Sequence, residues 1–195
     1  KMLSYEESLK ILKETNALLD GHFILSSGLH SAQYVQCAQL LSKPNKSVDF
    51  CKSLAEKISI EFKEIDLILS PAMGGIVIGY EIGRILKKET IFSERVKGQF
   101  ELRRDFKIPK HSKVLIVEDV ITTGRSSIEC SKLVELEEAY IVGFACLIDR
   151  SNGKSSIDKK IVSQIEINIT TYKENELPES LISIPAIKPG SRELK

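Results

Sequence analysis

The chain has 195 residues, 42% hydrophobic and 28% charged, and carries a net charge of +1. That length supports one domain with a full core, and the near-balance of charge excludes a protein that holds nucleic acid through bulk positive charge. No apolar run approaches membrane-spanning length and no secretory signal is seen, so no membrane association is expected and the chain reads as cytoplasmic. Cys37, Cys51, Cys130 and Cys146 form no Cys-x-x-Cys pair, and His22, His30 and His111 stand apart from other ligands at metal-site spacing. Buried free thiols are expected rather than a structural zinc site.

In chain order, Ser4-Tyr5-Glu6-Glu7 is a capping box, followed by Leu9, Leu12 and Leu19 at helical spacing. A helix is expected to run to Leu19 and to end at Asp20-Gly21-His22. Phe23 to Gln36 reads as two short strands about the turn Ser26 to Ser31, with Tyr34-Val35 opening the second. Lys43-Pro44-Asn45 starts a helix whose buried face is Val48, Cys51, Ala55, Ile58 and Phe62, with Leu54 beside it. Leu67-Ile68-Leu69 is a buried strand. Ser70 to Gly75 links it to a helix from Ile76 to Lys87, and Gly74 and Gly75 give that junction backbone freedom and free N–H groups.

Thr90 to Ser93 is a further strand. The segment after it carries Arg95, Lys97, Arg103, Arg104, Lys107 and Lys110, with Phe100 to Arg103 as half of a β-ribbon. It is expected to project as a mobile cationic loop over the carboxyl ends of the core strands, where open α/β sheets bind ligands. Val114 to Val117 is a buried strand. The helix after Ser127 holds Ile128, Leu133 and Leu136, with Glu135, Glu137 and Glu138 at its solvated end. Ala139 to Ile148 is a long apolar strand closed by Asp149-Arg150. Ile165, Ile167 and Ile169 alternate with polar residues as an edge strand, and three prolines after Tyr172 indicate a short helix or turn and an extended tail. This order predicts an α/β fold: a mostly parallel central sheet flanked by helices, in a single domain. A small hood is expected from about residues 1–40, to which the tail can add.

The chemistry concentrates at the end of the Val114–Val117 strand. Glu118 and Asp119 close it, and Val120-Ile121-Thr122-Thr123-Gly124-Arg125-Ser126 leads into a helix. Unpaired N–H groups at a helix start, with hydroxyls from Thr122, Thr123 and Ser126, make an anion cradle. No Gly-x-x-x-x-Gly-Lys-Ser/Thr is present. Two carboxylates beside such a cradle suit a ligand with vicinal hydroxyls and a phosphate, such as a ribose phosphate.

Strand, acid pair and Thr-Thr-Gly loop in this register resemble the phosphoribosyl pyrophosphate (PRPP) motif of type I phosphoribosyltransferases. Phe-x-Leu-x-Ser-Gly-x-x-Ser from Phe23, with Tyr34 after it, and Asp149-Arg150 are similar to orotate phosphoribosyltransferases, and Lys188-Pro189-Gly190-Ser191-Arg192 resembles their C-terminus. Many members carry lysine where Ser26 and Gly74 stand, and Arg-Lys-x-x-Lys-x-His-Gly in the cationic loop, of which Arg95 aligns here. The resemblance implies transfer of the 5-phosphoribosyl group from PRPP to orotate in pyrimidine (UMP) biosynthesis, giving orotidine 5′-phosphate and pyrophosphate. It implies Mg²⁺ carried largely by substrate and water, and a homodimer with shared sites. Glu118 and Asp119 would serve the ribose hydroxyls, the loop from Ile121 to Ser126 the 5-phosphate, with Val120 also against PRPP, and Met73, Gly74, Arg95 and Lys97 the pyrophosphate. Thr122, Arg150 and Tyr34 would serve orotate. A purine phosphoribosyltransferase and a non-enzymatic PRPP-sensing regulator remain as alternatives.

Overall fold

The computed structural model describes residues 1–189. Helix α1 (Tyr5–Glu14) is opened by the capping box: the Ser4 hydroxyl accepts from Glu7 N, and Glu7 accepts from Ser4 N. The helix stops well short of Leu19. The Thr15 hydroxyl turns back to the carbonyls of Ile11 and Leu12, and Asn16 takes a left-handed φ of 60°. Leu19 therefore belongs to strand β1 (Leu18–Ile24), whose inward Leu18 and Phe23 outweigh the helical spacing seen in the sequence. Strand β2 (His30–Val35) pairs antiparallel with β1 across a tight turn.

Helix α2 (Cys37–Leu41), not anticipated from the sequence, is only five residues long and buries Cys37 and Leu40. Helix α3 (Pro44–Glu61) begins on its proline, as expected from the fixed φ of that residue. Its buried face is Phe50, Cys51, Leu54, Ala55 and Ile58, while Val48 and Phe62 are only half-buried. Then follow β3 (Leu67–Pro71), α4 (Gly74–Leu86), β4 (Glu89–Val96), β5 (Gln99–Leu102), β6 (Lys113–Ile121), α5 (Arg125–Leu136), β7 (Tyr140–Asp149) and β8 (Ile161–Glu166). The chain returns to the hood as β9 (Thr171–Tyr172), paired with β2, and ends in a short α6 (Glu179–Ile182). The expected C-terminal match at Gly190, Ser191 and Arg192 lies outside the described residues.

The main sheet has the order β5-β4-β3-β6-β7-β8, parallel except for β5. On one face α3 and α4 bury Phe50, Leu54, Ile58, Ile78 and Ile82 against Ile68, Leu115 and Val117. On the other, Cys130 and Val134 of α5 meet Leu67, Leu69 and Val114. Alternate residues of each strand thus feed opposite cores, which is why the central strands read as unbroken apolar runs. β8 forms the edge, though only Ile165 of the three alternating isoleucines lies within it.

The cationic segment is paired rather than an open loop. β4 continues through Val96, Lys97 and Gly98 turn with φ of 48° and 85°, and β5 returns with Arg95 opposite Phe100. The Arg104 guanidinium grips Glu94 through two bonds of 3.0 and 3.1 Å and lies over the Phe92 ring, which packs edge-on against Phe106. These cross-links close the ribbon.

Phe50 is fully buried at the centre of the α3 face. Truncation loses transfer free energy and leaves a cavity, so Phe50→Ala should lower the unfolding free energy by about 3–5 kcal/mol, read as a fall in urea midpoint with unchanged slope.

Candidate active site

Three strand-to-helix junctions meet at the carboxyl ends of β3, β6 and β7. The first brings α4 down onto the acid pair. An ideal Cβ at Gly74 would stand 2.7 Å from Asp119 Oδ2, and one at Gly75 would stand 3.2 Å from Glu118 Oε1. Only a residue without a side chain lets the helix start approach both carboxyl groups this closely. A side chain at position 74 would have to displace the Asp119 carboxyl group from its present place. Met73, just before the helix, is 84% exposed.

Glu118 and Asp119 sit within β6 itself, so the strand extends beyond the apolar run expected from the sequence. Glu118 is buried, and burial together with the neighbouring Asp119 charge pushes its carboxyl up to about 9. Asp119 is half-buried; its Oδ1 accepts from Val120 N at 2.8 Å, and Cys37 Sγ lies 3.9 Å from its carbonyl oxygen. At neutral pH the pair therefore presents a protonated Glu118, able to donate, beside an accepting Asp119.

The second junction is the loop from Ile121 to Ser126. Gly124 adopts a left-handed φ of 82° as the cap of α5, and a Cβ there would meet Ile157 at 2.8 Å. Ser156 N donates to Thr123 O at 2.9 Å, and Arg150 N donates to Ile121 O at 2.8 Å. Braced from behind, the loop leaves Thr122, Thr123 and Arg125 exposed, with the first N–H groups of α5 behind them.

The third junction follows β7 and brings together the residues expected from the sequence to serve orotate. Pairing of Ile121 with Asp149 sets Thr122 beside Arg150 just beyond the strand ends. The Arg150 Nε is buried without an acceptor. Burial lowers the guanidinium from its usual value, opposed by Cys37 and Tyr34, so the hood's Tyr34 is within electrostatic reach of Arg150. Tyr34 itself packs on Phe23 with ring centroids 5.7 Å apart.

Arg95 and Lys97 are not gathered with these groups. Arg95 is bound to Glu129 of α5 at 2.7 Å and lies 4.1 Å over the Phe100 ring. Lys97 stands exposed at the ribbon tip. Glu129 went unnoticed in the sequence, although its spacing of four residues from Arg125 on a helix is a signal for an ion pair. The Cys37 contact depends on α2 and had no local signal.

Parallel strands ending in an acid pair, a phosphate-type loop and a glycine junction are the architecture of a phosphoribosyl transferase domain, whose family model matches residues 38–181. A protein of Erythrobacter litoralis named orotate phosphoribosyltransferase is 46% identical over 96% of this chain and 97% of its own length, and one of Caldicellulosiruptor saccharolyticus is 43% identical over 99% and 100%. The crystal structure of orotate phosphoribosyltransferase from Aeropyrum pernix superposes with a TM-score of 0.72 at 25% identity, covering 81% of this chain and 92% of its own. The chain belongs to the orotate phosphoribosyltransferase family.

Glu118 gives a pH signature. Its carboxyl is raised from the ordinary 4.5 to about 9, so from pH 4.5 to 9 the unfolded chain has released a proton that the folded chain keeps. Its contribution to stability is full below 4.5 and is lost as pH rises through about 9. Glu118→Gln, which mimics the neutral acid, should match wild type near pH 4 and exceed it at pH 8 by a few kcal/mol, measured by urea unfolding at both pH values.

Proposed function

We propose that the protein transfers the 5-phosphoribosyl group of PRPP to orotate, releasing pyrophosphate and orotidine 5′-phosphate for pyrimidine biosynthesis. The observation that carries this reading is the buried Arg150 Nε, left without an acceptor beside the phosphate loop. A buried donor of this kind costs free energy until a ligand supplies the acceptor, and a planar carboxylate matches a guanidinium. A neutral purine supplies no such anion, and a PRPP sensor has no need of one.

In this reading the loop from Val120 to Ser126 holds the 5-phosphate, with backbone N–H groups and the hydroxyls of Thr122, Thr123 and Ser126 as donors. Glu118 and Asp119 take the ribose hydroxyls, Glu118 as a donor and Asp119 as an acceptor, and the Asp119 carboxylate favours positive charge developing on the ribose as pyrophosphate departs. Met73 and Gly74 present the α4 start to the pyrophosphate arm, which Arg95 and Lys97 neutralise. Thr122, Arg150 and Tyr34 orient orotate, whose ring nitrogen is nucleophilic once deprotonated, so no separate protein nucleophile is required.

Magnesium suits the oxygen donors present. Among the described residues no three His, Cys, Asp or Glu side chains gather into a metal cage; Asp119 is the carboxylate that would hold the ion, together with substrate oxygens and water, since Glu118 keeps its proton. Bound there, magnesium supplies positive charge to the pyrophosphate leaving group. The four cysteines are free and buried, which supports a reducing, cytoplasmic setting. Met73, Val77 and Tyr80 form an exposed apolar stripe on α4, at 84%, 54% and 66% exposure, which supports a homodimer through this helix beside the site.

The test is the fall in orotate absorbance with PRPP and magnesium, with adenine, hypoxanthine and uracil in parallel. Turnover of orotate alone is expected; turnover of a purine instead would overturn the reading. Arg150→Ala should raise the KM for orotate roughly tenfold to a hundredfold while PRPP binding holds. Tyr80→Glu should shift the sedimenting species to monomer and reduce turnover, whereas an unchanged dimer would place the interface elsewhere.

A further inference from the structure

Away from the acid pair, the ribbon and the phosphate loop meet at one carboxylate. Glu129, one turn into α5, accepts from Arg95 Nη2 through Oε2 at 2.7 Å and from Arg125 Nε through Oε1 at 3.0 Å. The two arginines hold its carboxyl below the ordinary range, Arg95 more than Arg125. Arg95 is fixed from two further sides: Nη1 donates to Gly98 O at 2.9 Å, and the Phe100 ring lies under the guanidinium. Yet its strand lies beside the glycine junction, since Ser93, two residues earlier, pairs with Pro71 and its carbonyl accepts from Ala72 N at 2.8 Å. The Arg95 side chain lies on the α5 side of the sheet, two residues beyond the strand pairing that leads into the glycine junction.

We propose that Glu129 is a positioning residue that parks Arg95 in the unliganded enzyme, and that the pyrophosphate group of PRPP takes Arg95 over by exchange. This rests on the assignment of Arg95 to pyrophosphate above. The exchange is electrically reasonable. Pyrophosphate carries more charge than a carboxylate and offers paired oxygens to the guanidinium fork. Glu129 is not orphaned by the loss, because Arg125 remains on its other oxygen. Phe100 and the Gly98 carbonyl keep Arg95 near the ribbon, so its movement is a swing of the side chain.

The consequence is directional: Glu129 competes with pyrophosphate, so removing its charge should tighten pyrophosphate binding. A partly exposed ion pair supports an effect of about two- to fivefold in Kd. The experiment is calorimetric titration of magnesium pyrophosphate into wild type, Glu129→Gln, Arg95→Ala, Arg125→Ala and the double variants that combine Glu129→Gln with either arginine change. The expected result is tighter binding by Glu129→Gln, lost when Arg95 is also alanine and kept when Arg125 is alanine. A merely structural Glu129 would weaken binding instead. Unchanged or weaker binding by Glu129→Gln, or a gain that survives Arg95→Ala, overturns the parking role alone. Pyrophosphate affinity untouched by Arg95→Ala overturns the assignment of Arg95 as well, and with it this proposal.

Discussion

The site depends on how closely the start of α4 approaches the carboxyl groups of Glu118 and Asp119. With no Cβ at Gly74 or Gly75, the positive end of a helix lies against two acids on adjacent residues of one strand. Glu118 holds its proton because it is buried beside a second acid. The same approach sets position 74 against the Asp119 carboxyl, which a side chain there would have to displace. Arg95, Arg103 and Arg104 lie on or just after the ribbon of β4 and β5.

The unliganded site accordingly stores its charges in pairs. Arg95 and Arg125 share Glu129, and Arg104 grips Glu94, which Arg103 approaches at 3.9 Å. Each arginine of the ribbon has a carboxylate within the same subunit. Such partly exposed pairs are individually weak, so an anion with several negative oxygens can compete for them. Arg150 is the exception. It is half-buried, it has no carboxylate partner among the described residues, and its Nε makes no hydrogen bond. The arginine with no stored partner is the one that the proposed reading sets against the orotate carboxylate.

The sheet and the phosphate loop were legible in the sequence because their signals are local. Apolar runs such as Val114–Val117 mark strands buried on both faces, and a glycine-containing turn before a helix marks an anion cradle. The acid pair, Arg150 and Thr122 were legible because they sit at the ends of such runs, where register alone brings them together. What was not legible depends on contacts between distant segments. The first helix ends early because Leu18 and Phe23 are claimed by the hood, which no helical count reveals. Helix α2 is too short to carry a period. The ribbon read as a loop because its order comes from Arg104 on Glu94 and Phe92 on Phe106, across a turn formed by Lys97 and Gly98.

The hood shows how far such dependence reaches. Tyr34 acts on Arg150 only if β1 and β2 hold their place over the main sheet, and that place is tied down from the far end of the chain. Ile24 N donates to Ile187 O at 2.8 Å, and Ile187 N donates to His22 O at 2.9 Å. His22 Nδ1 lies 2.8 Å from Ile184 O, and its Nε2 lies 2.7 Å from His30 Nδ1. A carbonyl can only accept, so Nδ1 of His22 must donate to it. With neutral rings, His22 Nε2 then accepts and His30 Nδ1 donates. One carbonyl of the tail thereby fixes the tautomers of both buried rings, which link β1 to β2, the strand that carries Tyr34. The position of a base-side aromatic is decided about as much by the last turn of the described chain as by the hairpin on which it sits.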